Sequence, residues 1–178
     1  MALPSAAELP SPREPGAPYR VCLVCLGNIC RSPMAETVLR AELAAAGLDG
    51  AVVVDSAGTG DWHVGDAMDP DARKALAGRA LDGSAHRARQ FEPSWLSRYD
   101  LILAMDSRNL ADLRRMARVQ GEDTDRIRLF GEAGEIGGQD IPDPWGGGPD
   151  EFGHVLDLLG AAAPVIAARL ARLLETAG

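Results

Sequence analysis

All three cysteines of the chain, Cys22, Cys25 and Cys30, fall inside the stretch VCLVCLGNICRSPMAE, residues 21–36. Three chemistries are open to them: a metal site, a disulfide framework, or one nucleophile with two bystanders. Metal fits poorly. Cys22 and Cys25 stand three apart on an apolar run that reads as a strand, and strand side chains alternate faces, so the two thiols point in opposite directions. No fourth ligand stands nearby, because the histidines are at 63, 86 and 154. An odd cysteine count in a chain of 178 residues is no disulfide scaffold. It leaves at least one thiol unpaired and favours a reducing, cytoplasmic setting. Cys22 therefore reads as a small core hydrophobe.

Nucleophilic chemistry remains. Cys25 ends the strand and opens the loop Leu26, Gly27, Asn28, Ile29, Cys30, which runs into Arg31, Ser32 and a helix start. Glycine and asparagine permit left-handed backbone, so successive N–H groups of this loop can turn inward. The helix start adds its own N–H groups and the positive end of its dipole. The product is a cradle for a tetrahedral anion, with Cys25 beneath it and Arg31 able to grip two oxygens at once. The same electropositive setting favours thiolate over thiol. A bare Cys-x5-Arg is a weak signal; its weight comes from Gly27, Asn28, Ser32 and Pro33 and from the strand and helix on either side.

Those flanking elements follow from pattern. YRVCLVC (19–25) reads as a strand, and SPMAETVLRAELAAAGL (32–48) as a helix with Ser32 as N-cap, Pro33 at the first helical position, and Met34, Val38 and Ala41 on one face. A second strand is predicted over 51–58 and a helix over 69–81, opened by Asp69 and Pro70. A third strand follows over 99–105, then a helix capped by Asp106 with Leu110, Leu113 and Met116 or Ala117 at helical spacing. A short strand over 126–130 precedes a terminal helix from Pro149, which Gly160 and Pro164 should bend or break. The first three strands are nearly continuous apolar runs, as expected of strands covered on both faces. The fold class is α/β: a single-domain, doubly wound, mostly parallel four-stranded sheet with helices on both faces. In such sheets ligands bind beyond the carboxyl ends of the strands, where Cys25 stands.

Composition narrows the partners. The net charge is −8, a poor balance for wrapping nucleic acid, though a phosphate site needs only local positive potential. Arginine supplies all but one of the 18 basic residues, which lowers the weight of any single arginine. No apolar run approaches the ~20 residues of a membrane helix. Residues 1–18 carry five prolines and neither the basic start nor the apolar stretch of a signal peptide, and read as a disordered arm before a domain over 19–178.

VCLGNICRSPMAE resembles the signature of the low-molecular-weight protein tyrosine phosphatases. DSAGT (55–59), WHVG (62–65), HRARQ (86–90), MDSRN (105–109) and DPWGG (143–147) follow in that family's order, and the likeness runs from about residue 20 to the end. The resemblance implies a two-step displacement. Cys25 attacks phosphorus and becomes a cysteinyl phosphate; water then releases inorganic phosphate. Loop N–H groups and Arg31 stabilise the equatorial oxygens, with no metal and no cofactor. Tyrosine, with a pKa of ~10, leaves poorly, so Asp143 is implied as the acid that protonates it and then as the base for water. Ser32 is implied to hydrogen-bond the Cys25 sulfur, in competition with its capping role. Asn28, Ser56 and His86 are implied to hold the loop. Trp62 and Trp145 are implied to wall the pocket, with Leu26 and Ile29 adding apolar surface. Cys30 can capture an oxidised Cys25 as a protective disulfide. The implied partners are tyrosine-phosphorylated proteins, bound by a monomer with no nucleic acid or membrane partner.

The chain departs from the family in one place. Trp145 and Gly146 stand where the family usually has tyrosine after the Asp-Pro, so regulation by phosphorylating tyrosine there is not available. Arsenate reduction would need two further downstream cysteines, and none follows Cys30. Relatives that hydrolyse phosphoarginine carry threonine where this chain has Ile29. A phosphate-binding module without catalysis finds no support while Cys25, Arg31 and Asp143 are all present.

Overall fold

The computed structural model describes residues 8–178. Four strands, β1 (Tyr19–Cys25), β2 (Val52–Gly58), β3 (Leu101–Ala104) and β4 (Ile127–Leu129), form an all-parallel sheet in the order β2-β1-β3-β4. The helices are α1 (Arg31–Ala45), α2 (Pro70–Ala77), α3 (Ser107–Gln120), α4 (Phe130–Ala133) and α5 (Pro149–Ala177). β1 pairs with β2 on one side and β3 on the other, so successive crossovers leave it in opposite directions. The carboxyl end of β1, and Cys25 with it, lies at that switch point.

The sheet buries both faces, as the unbroken apolar strands predict. On one side Val21, Leu23 and Leu103 pack with Met34 and Leu39 of α1 and Phe152 and Leu159 of α5. On the other, Val24, Ile102 and Ile127 pack with Phe91, Leu96 and Tyr99 and with Leu113 and Ala117 of α3. Each such side chain contributes about 1.5–3 kcal/mol when fully withdrawn from water. Cys25 belongs to the first of these cores and Cys22 to the second, so the strand does place the two thiols on opposite faces.

Local signals account for most helix ends. The Asp69 carboxylate accepts from the Asp71 and Ala72 amides at the start of α2, Asp106 accepts from the Asn109 amide at the start of α3, and Gly121 ends α3 in a left-handed conformation. α1 differs from expectation. It begins at Arg31, and Cys30 occupies the cap position with no side-chain bond, because the Ser32 hydroxyl is engaged inside the site. Pro33 then sits at the third helical position, where a missing N–H costs nothing. The buried stripe of α1 runs through Met34, Ala35, Val38, Leu39 and Leu43 and leaves Ala41 exposed. α4, a single turn, was not foreseen.

The terminal helix is also continuous where a bend or break was expected. Gly160 stands four residues before Pro164, at the carbonyl the proline ring crowds, and both are exposed, so water can satisfy the released group. α5 is 29 residues long, with a mean hydropathy of 1.4 over an 18-residue window, and by length and composition it can cross a membrane. That corrects the reading that no apolar run approaches this length. Half of the window is buried inside the protein, against the sheet and α1.

The arm is the other correction. Residues 1–7 lie outside the described residues, but 8–18, though mostly exposed, are anchored to the domain. Leu9 joins the first core, and the Tyr19 hydroxyl donates to the Pro10 carbonyl at 2.8 Å. Arg13 donates from Nε to the Tyr99 carbonyl at 2.9 Å and from Nη2 to the Leu96 carbonyl at 3.1 Å, while its amide donates to Asp100 Oδ1 at 2.6 Å. Proline content marked a segment without regular structure; it did not reveal these anchors at the amino-terminal edge of the sheet. Arg13→Ala should lower stability by about 1–2 kcal/mol, the loss of two partly exposed charged hydrogen bonds, measured as a fall in urea midpoint at constant slope.

Candidate active site

The loop after β1 is held from outside by its carbonyl oxygens. Those of Cys25 and Leu26 accept from the amides of Thr59 and Gly60, both at 2.9 Å, and that of Ile29 accepts from the Asp69 amide at 2.9 Å. The Asn28 carbonyl accepts from His86 Nε2 at 2.7 Å. In a trans peptide the next N–H points opposite to the carbonyl, so the amides of Leu26, Gly27, Ile29 and Cys30 face inward. Among the described residues, none of the amides of Gly27, Ile29, Cys30 and Arg31 donates to a protein acceptor. The result is a concave row of free donors at the head of α1, suited to an oxyanion.

Sequence supplies the backbone for this. Asn28 holds φ 57°, a left-handed value that asparagine tolerates better than most residues. Gly58, at the end of β2, brings its Cα so close to the loop that a Cβ would meet the Leu26 carbonyl oxygen at 2.6 Å. The glycine of DSAGT is therefore required by close approach of two backbones.

Side chains complete the floor. The Cys25 sulfur lies 3.0 Å from Ser32 Oγ and accepts from the Asn28 amide at 3.3 Å. Asn28 Nδ2 donates to Ser32 Oγ at 2.9 Å and to Ser56 Oγ at 3.0 Å, while Asn28 Oδ1 accepts from the Arg89 amide at 2.8 Å. Ser56 in turn meets the Glu36 carboxylate, itself paired with Arg40 at 2.6 Å. A carboxylate only accepts, so Ser56 donates to Glu36 and accepts from Asn28; Ser32 also accepts from Asn28, and its one proton lies between the sulfur at 3.0 Å and the Ala57 carbonyl at 3.3 Å.

Arg31 is 4% exposed. Its Nη1 donates to Asp106 Oδ2 at 2.6 Å and to the Ile141 carbonyl at 3.1 Å, and its Nη2 stands 3.8 Å from Asp143 Oδ2. Burial opposes the charged guanidinium, but Cys25, Asp106 and Asp143 together outweigh it and hold its pKa above the ordinary value. Burial first, then Asp69, Cys25 and Asp143, push the Cys30 thiol well up, and burial does the same to Cys22. Both bystander sulfurs are thereby kept as thiols.

Above this floor lies a cleft of about 180 Å³, lined by Cys25, Leu26, Gly27, Ile29, Arg31, Trp62, His63, Asp143 and Trp145. A cavity of about 150 Å³ holds a benzene ring, so one aromatic ring fits. The two tryptophans are 69% and 64% exposed, which makes them walls and not core. The Trp62 ring lies against Gly60, where any Cβ would strike it. Asp143 is half exposed, at the cleft's edge, and Oδ1 accepts from the Trp145 amide at 3.1 Å. Ser56 and His86 lie behind the loop, each within hydrogen-bond distance of Asn28.

His86 carries a pH consequence. Burial pushes the imidazole below its ordinary value, against the opposing pull of the Asn28 carbonyl and Glu36. The folded protein therefore takes up this proton at lower pH than the unfolded chain does. Stability from the neutral ring is complete above the ordinary histidine value of ~6.5 and is lost as pH falls through the depressed one. His86→Gln keeps a donor for Asn28 and removes the titration. The drop in urea midpoint between pH 7.5 and 5.5 should be smaller in the variant than in the unaltered chain; equal drops would remove His86 as the cause.

The family model described as low molecular weight phosphotyrosine protein phosphatase matches residues 20–175. The chain belongs to this family. It is 46% identical over 160 residues to the low molecular weight protein-tyrosine-phosphatase of Streptomyces coelicolor, covering 88% of this chain and 96% of that one. The fold is shared with a protein tyrosine phosphatase from Entamoeba histolytica, at a TM-score of 0.81, 31% identity and coverage of 86% and 97%. It is also shared with the YwlE arginine phosphatase of Bacillus subtilis, at a TM-score of 0.77, 28% identity and coverage of 86% and 99%. This family consists of cysteine-dependent phosphatases, and the position of Cys25 just after the first strand is consistent with that.

Three contributors escaped the sequence reading. Asp106 was assigned only a capping role, yet its second oxygen anchors Arg31; its place just past β3, next to the switch point, was the available signal. Glu36 lies one helical turn beyond Ser32, and that spacing alone pointed to the same face. His63 lines the cleft with Nδ1 3.1 Å from Asp66, and nothing in the sequence distinguished it from a surface histidine.

Proposed function

We propose that this chain hydrolyses phosphotyrosine in proteins through a phosphorylated Cys25. The observation that carries the reading is a single cleft in which Cys25, Arg31, Asp143 and two tryptophans meet above inward-facing amides. A phosphoryl group seated on those amides presents phosphorus to the sulfur, with Arg31 gripping two equatorial oxygens. The sulfur displaces the tyrosyl oxygen. Ser32 donates to the sulfur before attack and again as the sulfur leaves. Asp143, at the open edge, gives its proton to the departing oxygen and takes one from the incoming water. Trp62 and Trp145 sandwich the tyrosyl ring, while Ile29 fills the floor of the aryl site. Asn28, Ser56 and His86 hold the loop in shape. The three free thiols fit a reducing cytoplasm, and the reading takes the protein to act there as a monomer.

Parallel turnover of phosphotyrosine, phosphoserine, phosphoarginine and arsenate by one preparation tests this. Phosphotyrosine should be preferred by at least about 10²-fold, the order that a positioned general acid and a filled aryl site supply together. Phosphoarginine turnover equal to or above that of phosphotyrosine would overturn the reading. In the same preparation a strong chelator should leave activity unchanged; loss on chelation, restored by a divalent metal, would contradict the metal-free mechanism.

A further inference from the structure

The phosphate floor is cationic, but the mouth above it is not. Two loops wall the cleft, residues 59–69 between β2 and α2 and residues 134–148 before α5, and neither contains a lysine or arginine. They contribute Asp61, Asp66, Asp140 and Asp143, all exposed. Among the described residues, the one arginine that pairs with any of these four is Arg31, with Asp143 at 3.8 Å. The Asp66 side chain meets His63, and Asp140 accepts from Ser107. Asp61 adjoins Trp62 and Asp66 contacts His63, both cleft-lining residues, and Arg31 is buried beneath them, so carboxylates without a lysine or arginine partner flank the entrance on a chain of net charge −8. Three of the six exposed large hydrophobics, Trp62, Val64 and Trp145, lie on the same loops, and a fourth, Leu26, on the phosphate loop beside them, giving neighbouring substrate residues a surface to rest on.

We infer that Asp61 and Asp66 make this site select phosphotyrosines flanked by arginine or lysine and discriminate against those flanked by acidic residues. The inference rests on the phosphotyrosine reading above. A phosphotyrosine brings two negative charges toward an acidic mouth; basic neighbours offset that repulsion and pair with the rim, and acidic neighbours add to it. At ~10 Å in water one charge pair is worth about a factor of two, so several pairs compound to about five- to tenfold in kcat/KM. The discrimination should shrink with salt, because the screening length falls from ~10 Å at 0.1 M to ~3 Å at 1 M.

The test uses three peptides of one sequence around a single phosphotyrosine, flanked by arginines, by neutral residues or by aspartates, beside free phosphotyrosine. The expected order of kcat/KM is arginine, neutral, aspartate, spread over at least about fivefold at low salt and collapsing near 1 M NaCl. Asp61→Asn with Asp66→Asn should hydrolyse free phosphotyrosine at least as fast as the unaltered chain does, because repulsion at the mouth is relieved, and lose most of the spread. Equal or reversed rates on the three peptides, with free phosphotyrosine still hydrolysed, would overturn the inference alone. A spread that survives 1 M salt or the double substitution would also overturn it. No hydrolysis of free phosphotyrosine would overturn the underlying reading and this inference with it.

Discussion

Cys25→Ser is expected to reduce phosphotyrosine turnover to the uncatalysed background, a loss of at least about 10⁴-fold, while inorganic phosphate still binds within about a factor of three. Two parts of the site carry two separate functions. Affinity for the oxyanion comes from main-chain donors fixed by carbonyl contacts to Thr59, Gly60, Asp69 and His86, and from Arg31 fixed by Asp106; none of these contacts uses the sulfur. Bond formation to phosphorus needs the sulfur's lone pair. A serine hydroxyl in its place stays protonated, because the Asn28 amide donates toward it and its other neighbour, the Ser32 hydroxyl, is no stronger a base than the serine itself. Measurable turnover in a preparation free of the unaltered chain would move the nucleophile elsewhere. Loss of phosphate binding together with turnover would show that the loop had collapsed and would count against the independence argued from its contacts.

Asp143→Ala should separate substrates by their leaving groups. For phosphotyrosine the loss is expected at about 10²–10⁴-fold in kcat, the range for a positioned general acid. For an aryl phosphate with an acidic phenol, such as p-nitrophenyl phosphate, the loss at the bond-breaking step should be much smaller, because that oxygen leaves without a proton. Geometry supports the assignment. Asp143 stands at the half-exposed edge of the cleft that holds Cys25 at its floor, where it can exchange protons with water between steps. Asp106 also lies close to Arg31, but it is committed there by a 2.6 Å contact on one oxygen and to the Asn109 amide on the other, which leaves it no role toward substrate. Equal losses on both substrates would remove Asp143 as the acid and make it a positioning partner of Arg31.

Much of this was legible before any coordinates. The strands announce themselves because residues 19–25 and 101–104 are covered on both faces nearly throughout, and 52–58 on both faces apart from Val53 and Asp55, so little polar alternation is left to misread. The phosphate loop is legible because its chemistry and its geometry share one short segment: Gly27 and Asn28 for the turn, Arg31 and Ser32 at the helix head. Long-range contacts were harder. Asp106 reaches Arg31 across 75 positions, and its more local duty, the cap of α3, was the one the sequence displayed. Ser32 offered two duties, since a serine before a proline looks like a cap; the resemblance pointed instead to the Cys25 sulfur, and there its hydroxyl stands. The arm was misjudged because prolines forbid helix and sheet without forbidding attachment; Arg13 binds loop carbonyls 83 and 86 positions away, which no periodicity can signal. In α5 the proline signal was real, but a glycine four residues earlier and exposure of both residues let the helix run through.

The central claim is that phosphorus passes through the sulfur of Cys25. Rapid quenching of the enzyme during turnover of p-nitrophenyl phosphate, followed by mass mapping of the peptides, tests it most directly. The account predicts one phosphoryl group per chain, on the peptide that carries Cys25, appearing with the first burst of phenol and absent from Cys25→Ala, which has no atom to carry it. A phosphoryl group on any other residue, or full turnover with no phosphorylated chain at any quench time, would contradict it.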